Sequence, residues 1–142
     1  MNAGIKLSLE TLARSAQRNA ANETTKDFAL WSIRDLALRS TAGLVNHRDK
    51  MRALVDDLHR ATYGGLIDGD GNVMDADDAC LFVATSALCL GISCRFIAER
   101  YGQSWTVRLG YEVDGQWETI DCMNQVAMRK LDEKVVGEEL RP

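Results

Sequence analysis

The chain has 142 residues, one proline, 46% apolar and 27% charged positions, the profile of a single globular domain (1–142) rather than a disordered, collagenous or fibrous chain. A formal charge of −4 and a pI of about 5.2 argue against a nucleic-acid binder working through phosphate contacts, because such domains are usually basic. No apolar run approaches the roughly 18–20 residues of a membrane span, and residues 1–9 lack a basic n-region and a long apolar stretch, so a soluble, intracellular protein with no membrane partner is expected.

The charge is unevenly spread. Residues 1–70 carry 10 Lys/Arg against 9 Asp/Glu, and residues 71–142 carry 7 against 12, with Asp68, Asp70, Asp75, Asp77 and Asp78 crowded into one segment. The cysteines Cys80, Cys89, Cys94 and Cys122 form no CxxC pair, which zinc would require, so neither a metal nor another cofactor is expected. On one helix Cys80 and Cys89 would lie roughly 13 Å apart, beyond disulfide reach. Four buried reduced thiols are the simplest reading, since free Cys behaves as a small hydrophobe.

From Ser8 to Arg18 the residues Leu9, Leu12, Ala13 and Ala16 fall at helical spacing, and the polar run Asn19–Thr25 follows as a loop. Thr24 and Thr25 precede Phe28, Trp31, Ile33, Leu36 and Leu38, which predicts a second helix to about Ser40. Met51, Leu54, Val55 and Leu58 mark the buried face of a third helix, with Asp49 as the expected cap, and close a helical N-terminal part spanning 8–60. Four glycines among residues 63–72 make a loop or hairpin.

Within that loop Asp68, Asp70 and Asn72 resemble the opening of a calcium loop, but Val73 stands where a Gly is wanted and Ala79 where a bidentate Glu is wanted, so solvated carboxylates are expected. Ala79–Leu90 is apolar nearly all round, which predicts a buried helix with Gly91 as its terminator. Cys94–Arg100 and Trp105–Val113 alternate as strands, and Asp114-Gly115 is a strong hairpin signal leading into a strand at 116–122. Residues 123–142 read as a terminal helix or tail. The class is α+β: N-terminal helices, then a buried central helix packed on a small antiparallel sheet.

The stretch from Met74 through Asp75, Ala76, Asp77 and Asp78 to Leu90-Gly91-Ile92-Ser93-Cys94-Arg95-Phe96, followed by Thr106–Asp121 with its Asp114-Gly115 turn and Trp117, resembles the transglutaminase-like superfamily. The match spans the core 74–122, and the upstream helices are similar to those of members encoded by tailed phages. The resemblance implies a papain-like core whose Cys, His and Asp roles fall on Ala76, Thr106 and Asp121. Alanine supplies no nucleophile and threonine no base, so the expected protein is a pseudoenzyme.

The implied role is that of a structural or assembly module binding other phage proteins, located in the host cytoplasm during assembly or in the virion. The expected binding surfaces are the acidic residues Asp75, Asp77 and Asp78 and the vacated cleft at Ala76, Thr106 and Arg108. Counting outward from Asp114-Gly115 places Arg108 opposite Asp121, on a face with Thr106 that should look at the vacated site, and an ion pair between them is expected. The carboxylates beside Ala76 would also serve as helix caps.

Two other readings are open. Cys80, one helical turn after Ala76, is the replacement nucleophile a cysteine peptidase or acyltransferase would need, although it has no base in the motif. A phage regulator that occupies a host protein is the other. The only histidines, His47 and His59, are expected as surface or interhelical residues, and Trp31, Trp105 and Trp117 as core or hairpin anchors.

Overall fold

The computed structural model describes residues 3–20, 22–24, 26–29, 46–61, 75–123 and 130–142. Its chain order is α1 (Ala3–Asn19), α2 (His47–Ala61), α3 (Ala76–Cys89), β1 (Cys94–Tyr101), β2 (Ser104–Val113), β3 (Gln116–Ile120) and β4 (Glu133–Val136). The strands form one antiparallel sheet in the order β3-β2-β1-β4. The class is α+β, as the segregated sequence pattern predicts.

Helix α3 is buried on nearly every side because its composition leaves no polar face to present to water. Ala79, Cys80, Val83, Ala84, Thr85, Ser86, Ala87 and Leu88 are all buried. Its two internal hydroxyls are satisfied locally: Thr85 Oγ1 donates to the Leu81 carbonyl at 2.7 Å and Ser86 Oγ to the Phe82 carbonyl at 3.0 Å. The helix begins three residues earlier than the apolar run implies, because Asp75 accepts the Asp78 N–H at 2.9 Å and so starts it. It ends where expected. Gly91 takes φ +80, and the Ile92 and Gly91 amides return to the Ala87 and Leu88 carbonyls.

The other two helices cover α3. Leu9, Ala13 and Ala16 form the buried stripe of α1, which packs on α3 and β1. In α2, Met51, Leu54, Val55 and Leu58 are buried as their spacing predicts. Its cap is Asn46 rather than the expected Asp49: the Asp49 amide donates to Asn46 Oδ1 at 2.9 Å, so Asp49 sits inside the first turn. Of the helix expected between Thr25 and Ser40, residues 26–29 are described and helical, and Phe28 meets Phe82 edge-on with ring centroids 4.8 Å apart. Trp31 and the acidic segment Asp68–Asn72 lie outside the described residues.

The hairpin register follows from its turn. Asp114 and Gly115 both have positive φ, and the pairs Val113↔Gln116, Tyr111↔Glu118 and Leu109↔Ile120 are those counted outward from Asp114-Gly115. Cys94, Phe96 and Ala98 of β1 and Leu109, Tyr111 and Val113 of β2 alternate onto the face that α3 covers.

The terminal segment departs from expectation. Instead of a helix or free tail, β4 pairs with β1 through Ile97↔Val136 to Arg100↔Glu133, and Leu140 bridges to Cys94. An edge strand needs only alternate residues inside, and Val135 is buried while Val136 is 44% exposed. Four residues are too few to show that alternation in the sequence.

Gly137 follows β4 with its amide 2.8 Å from the Phe96 carbonyl. A Cβ there would lie 3.0 Å from that same oxygen. Gly137→Ala should therefore destabilise by about 1–3 kcal/mol through the forced shift of β4, outweighing the ~0.4–1 kcal/mol that Gly→Ala gains through the unfolded chain. Urea unfolding checks this, and an unchanged or higher midpoint would mean that β4 yields freely.

Candidate functional site

The three triad positions implied by resemblance do not come together as an acid–base set. Ala76 is the first residue of α3, at the helix N-terminus where a thiol would be activated. Asp75, Asp77 and Asp78 surround it and are exposed. Partial burial, and then the charges of Asp75 and Asp78, push the Asp77 carboxyl above its ordinary value. The acidic turn is thus a concentrated negative surface, and one of its members, Asp75, is also the structural cap.

Thr106 does not share a face with α3. Alternation along β2 puts Val107, Leu109 and Tyr111 toward the helix and Thr106 and Arg108 on the opposite side of the sheet. The expected ion pair between Arg108 and Asp121 is absent, because β3 ends at Ile120, one residue short of the position opposite Arg108. Asp121 instead accepts the Met123 amide at 2.8 Å and shapes its own turn.

Arg108 turns the other way across the sheet. Its Nε lies 3.6 Å from Glu99 Oε1 on β1, an ion-pair distance without hydrogen-bond geometry. Glu99 is only 7% exposed and also accepts the Tyr101 hydroxyl at 2.8 Å. The expected binding residues therefore divide between two places, Asp75, Asp77 and Asp78 at the start of α3 and Arg108 on the far face of the sheet.

The thiols lie in or beside the core and are all reduced. Cys80 is fully buried and its S–H points at the Val107 carbonyl, 3.4 Å away. A hydrogen bond with Cys80 and then burial raise the Cys122 thiol well above its ordinary value, and burial pushes Cys94 up to about 12. Cys89 is less buried, donates toward the Ala20 carbonyl at 3.0 Å, and is raised by burial as well.

Both histidines have a task that sequence spacing does not reveal. Both are half-buried and reach from α2 to the hairpin. His47 Nδ1 meets the Glu112 carbonyl at 2.8 Å and His59 Nε2 meets the Cys122 carbonyl at 2.9 Å, so the two ends of α2 are tied to the two ends of the β2–β3 hairpin. Arg48 adds a forked bond to Glu118, with Nε 2.9 Å from Oε2 and an Nη 2.6 Å from Oε1, and the Tyr111 hydroxyl lies 3.3 Å from Oε2. The histidine and Arg48 contacts join residues more than 60 positions apart, and no local motif marks them.

On the far face of the sheet Arg95 stacks on Trp117 at 4.2 Å from the ring centroid. Gly110, which pairs with Arg95, makes room for it, since a Cβ there would lie 3.2 Å from Arg95 Cγ. Trp117 is thus the expected hairpin anchor.

Among the described residues no group of three His, Cys, Asp or Glu side chains could hold a metal ion. No described helix is long and apolar enough to cross a membrane. No family model, curated protein or solved structure matches the chain.

The hydrogen bond from Arg48 holds the Glu118 carboxyl below its ordinary value of 4.5. A folded value below the unfolded one means that the tie contributes fully above about pH 4.5 and is lost as pH falls through the lowered folded value. Asp77, raised in the fold, has the opposite slope, so the comparison must be with a variant. The stability difference between wild type and Glu118→Gln should be widest at neutral pH and shrink below pH 4.5. Urea midpoints across pH 3–7 that show a constant difference would mean that the carboxylate charge contributes nothing.

Proposed function

We propose that this chain is a catalytically silent transglutaminase-like protein that acts as a binding module in phage particle assembly, in the host cytoplasm or the virion. The observation that carries the reading is the site itself. A methyl group stands at the start of the buried helix, at Ala76, and Thr106, which carries only a hydroxyl, stands on the far side of the sheet, away from the place where a base would be needed. A protein with this layout acts through its surface. The exposed acidic turn Asp75, Asp77 and Asp78 is the surface best suited to a basic patch on another structural protein of the same particle.

Transfer of the nucleophile to Cys80 has little support. A fully buried thiol directed at a backbone carbonyl and neighboured by a second thiol lacks the electropositive, accessible setting of a reactive cysteine.

Thiol alkylation of the native protein from pH 5 to 9 against the ordinary free-thiol value of about 8.5, read by mass spectrometry at each cysteine, tests the silent-site reading. Cys89 should react first and only at alkaline pH, with Cys80, Cys94 and Cys122 protected until the protein unfolds. Fast modification of Cys80 alone below neutral pH would sink that reading and favour a covalent enzyme. Co-sedimentation with assembling particles in producing cells tests the assembly role, and association with a single soluble host protein instead would favour the host-directed regulator.

A further inference from the structure

Between the first turns of α2 and the β2–β3 hairpin lies a cavity of about 230 Å³, lined by Arg48, Arg52, Tyr111, Glu118, Thr119 and Ile120. Its charge is unbalanced. Arg48 and Arg52 are four residues apart on one helix face, and they meet a single carboxylate, Glu118, which Arg48 already holds through Nε and one Nη. The Tyr111 hydroxyl also bonds that carboxylate.

Arg52 is left with no ion-pair partner among the described residues. Arg95, Arg100, Arg108 and Arg141, by contrast, each have a carboxylate or an aromatic ring. The forked pair also fixes the Arg48 guanidinium, so its second Nη, which Glu118 does not use, is held in place beside the cavity at no further ordering cost.

We propose that this cavity binds a small oxyanion, a phosphate or a carboxylate, with the Arg52 guanidinium as principal donor and the unused N–H groups of Arg48 as the second. Planar guanidinium groups match both anions by paired N–H···O bonds. The volume is below the roughly 300–1,000 Å³ of pockets that enclose drug-sized ligands, so the occupant is an ion or the acidic end of a small metabolite. Ile120 and the Tyr111 ring give the cavity an apolar wall against which a short carbon stem can rest.

The test is a titration of the full chain with sodium phosphate and, separately, sodium acetate, each against sodium chloride at matched ionic strength. The readout is the arginine side-chain Nε–H signals in a nitrogen-15 spectrum. Saturable shifts at Arg52 and Arg48 are expected with at least one of the two oxyanions, and which one saturates names the class of occupant. Arg52→Gln should weaken binding about tenfold, the loss of one charge-assisted contact.

Because Arg52 is exposed, its variant should keep the wild-type thermal midpoint. Shifts that stay linear in concentration and are reproduced by chloride would reduce the effect to ionic screening and overturn the proposal. So would an Arg52→Gln protein that titrates like wild type.

Discussion

The constraint on which the rest depends is the all-round hydrophobicity of α3. A helix with an apolar stripe needs one covering layer, but a helix apolar on every side needs covering everywhere. The sheet supplies one side through Phe96, Leu109 and Tyr111, α1 supplies Leu9, Ala13 and Ala16, and α2 supplies Met51, Leu54, Val55 and Leu58. At roughly 1.5–3 kcal/mol for each fully buried large side chain, these contacts dominate the favourable side of folding. The polar contacts then decide how the covering pieces are oriented.

That division of labour explains the ties of α2. Its apolar stripe selects the face that meets α3 and β2. His47 and His59 add position along the hairpin, each meeting one backbone carbonyl at opposite ends of it. The Arg48–Glu118 fork sits at the surface, where water and salt screen an ion pair, so its consequence is position more than stability. The same fork leaves Arg52 as the unmatched charge beside the cavity. Fixing α2 and creating an electropositive hollow are two results of one arrangement.

How much the sequence discloses depends on the distance over which each feature is encoded. The buried helix and the hairpin register are local: composition marks the first, and Asp114-Gly115 with strict alternation marks the second. The Arg108–Asp121 pair that the register implies one residue beyond Ile120 does not form, because where a strand stops depends on the turn that follows, and Asp121 is committed to that turn. The Glu99 partner of Arg108 needs the β1–β2 pairing, and β4 needs the exposed edge of β1, neither of which is visible from neighbouring residues. The histidine ties span 63 and 65 positions for the same reason.

At the candidate site, electrostatics and geometry point the same way. A helix N-terminus favours negative charge, and this one already has Asp75 as its cap with Asp77 and Asp78 in its first turn. Partial burial, and then the charges of Asp75 and Asp78, hold the Asp77 carboxyl above its ordinary value. Thr106 lies on the other side of the sheet from this turn. A thiol placed at position 76 would sit among Asp75, Asp77 and Asp78, whose charges disfavour a thiolate. The start of α3 is therefore an anionic surface in which the helix cap and the first-turn carboxylates are one structural unit.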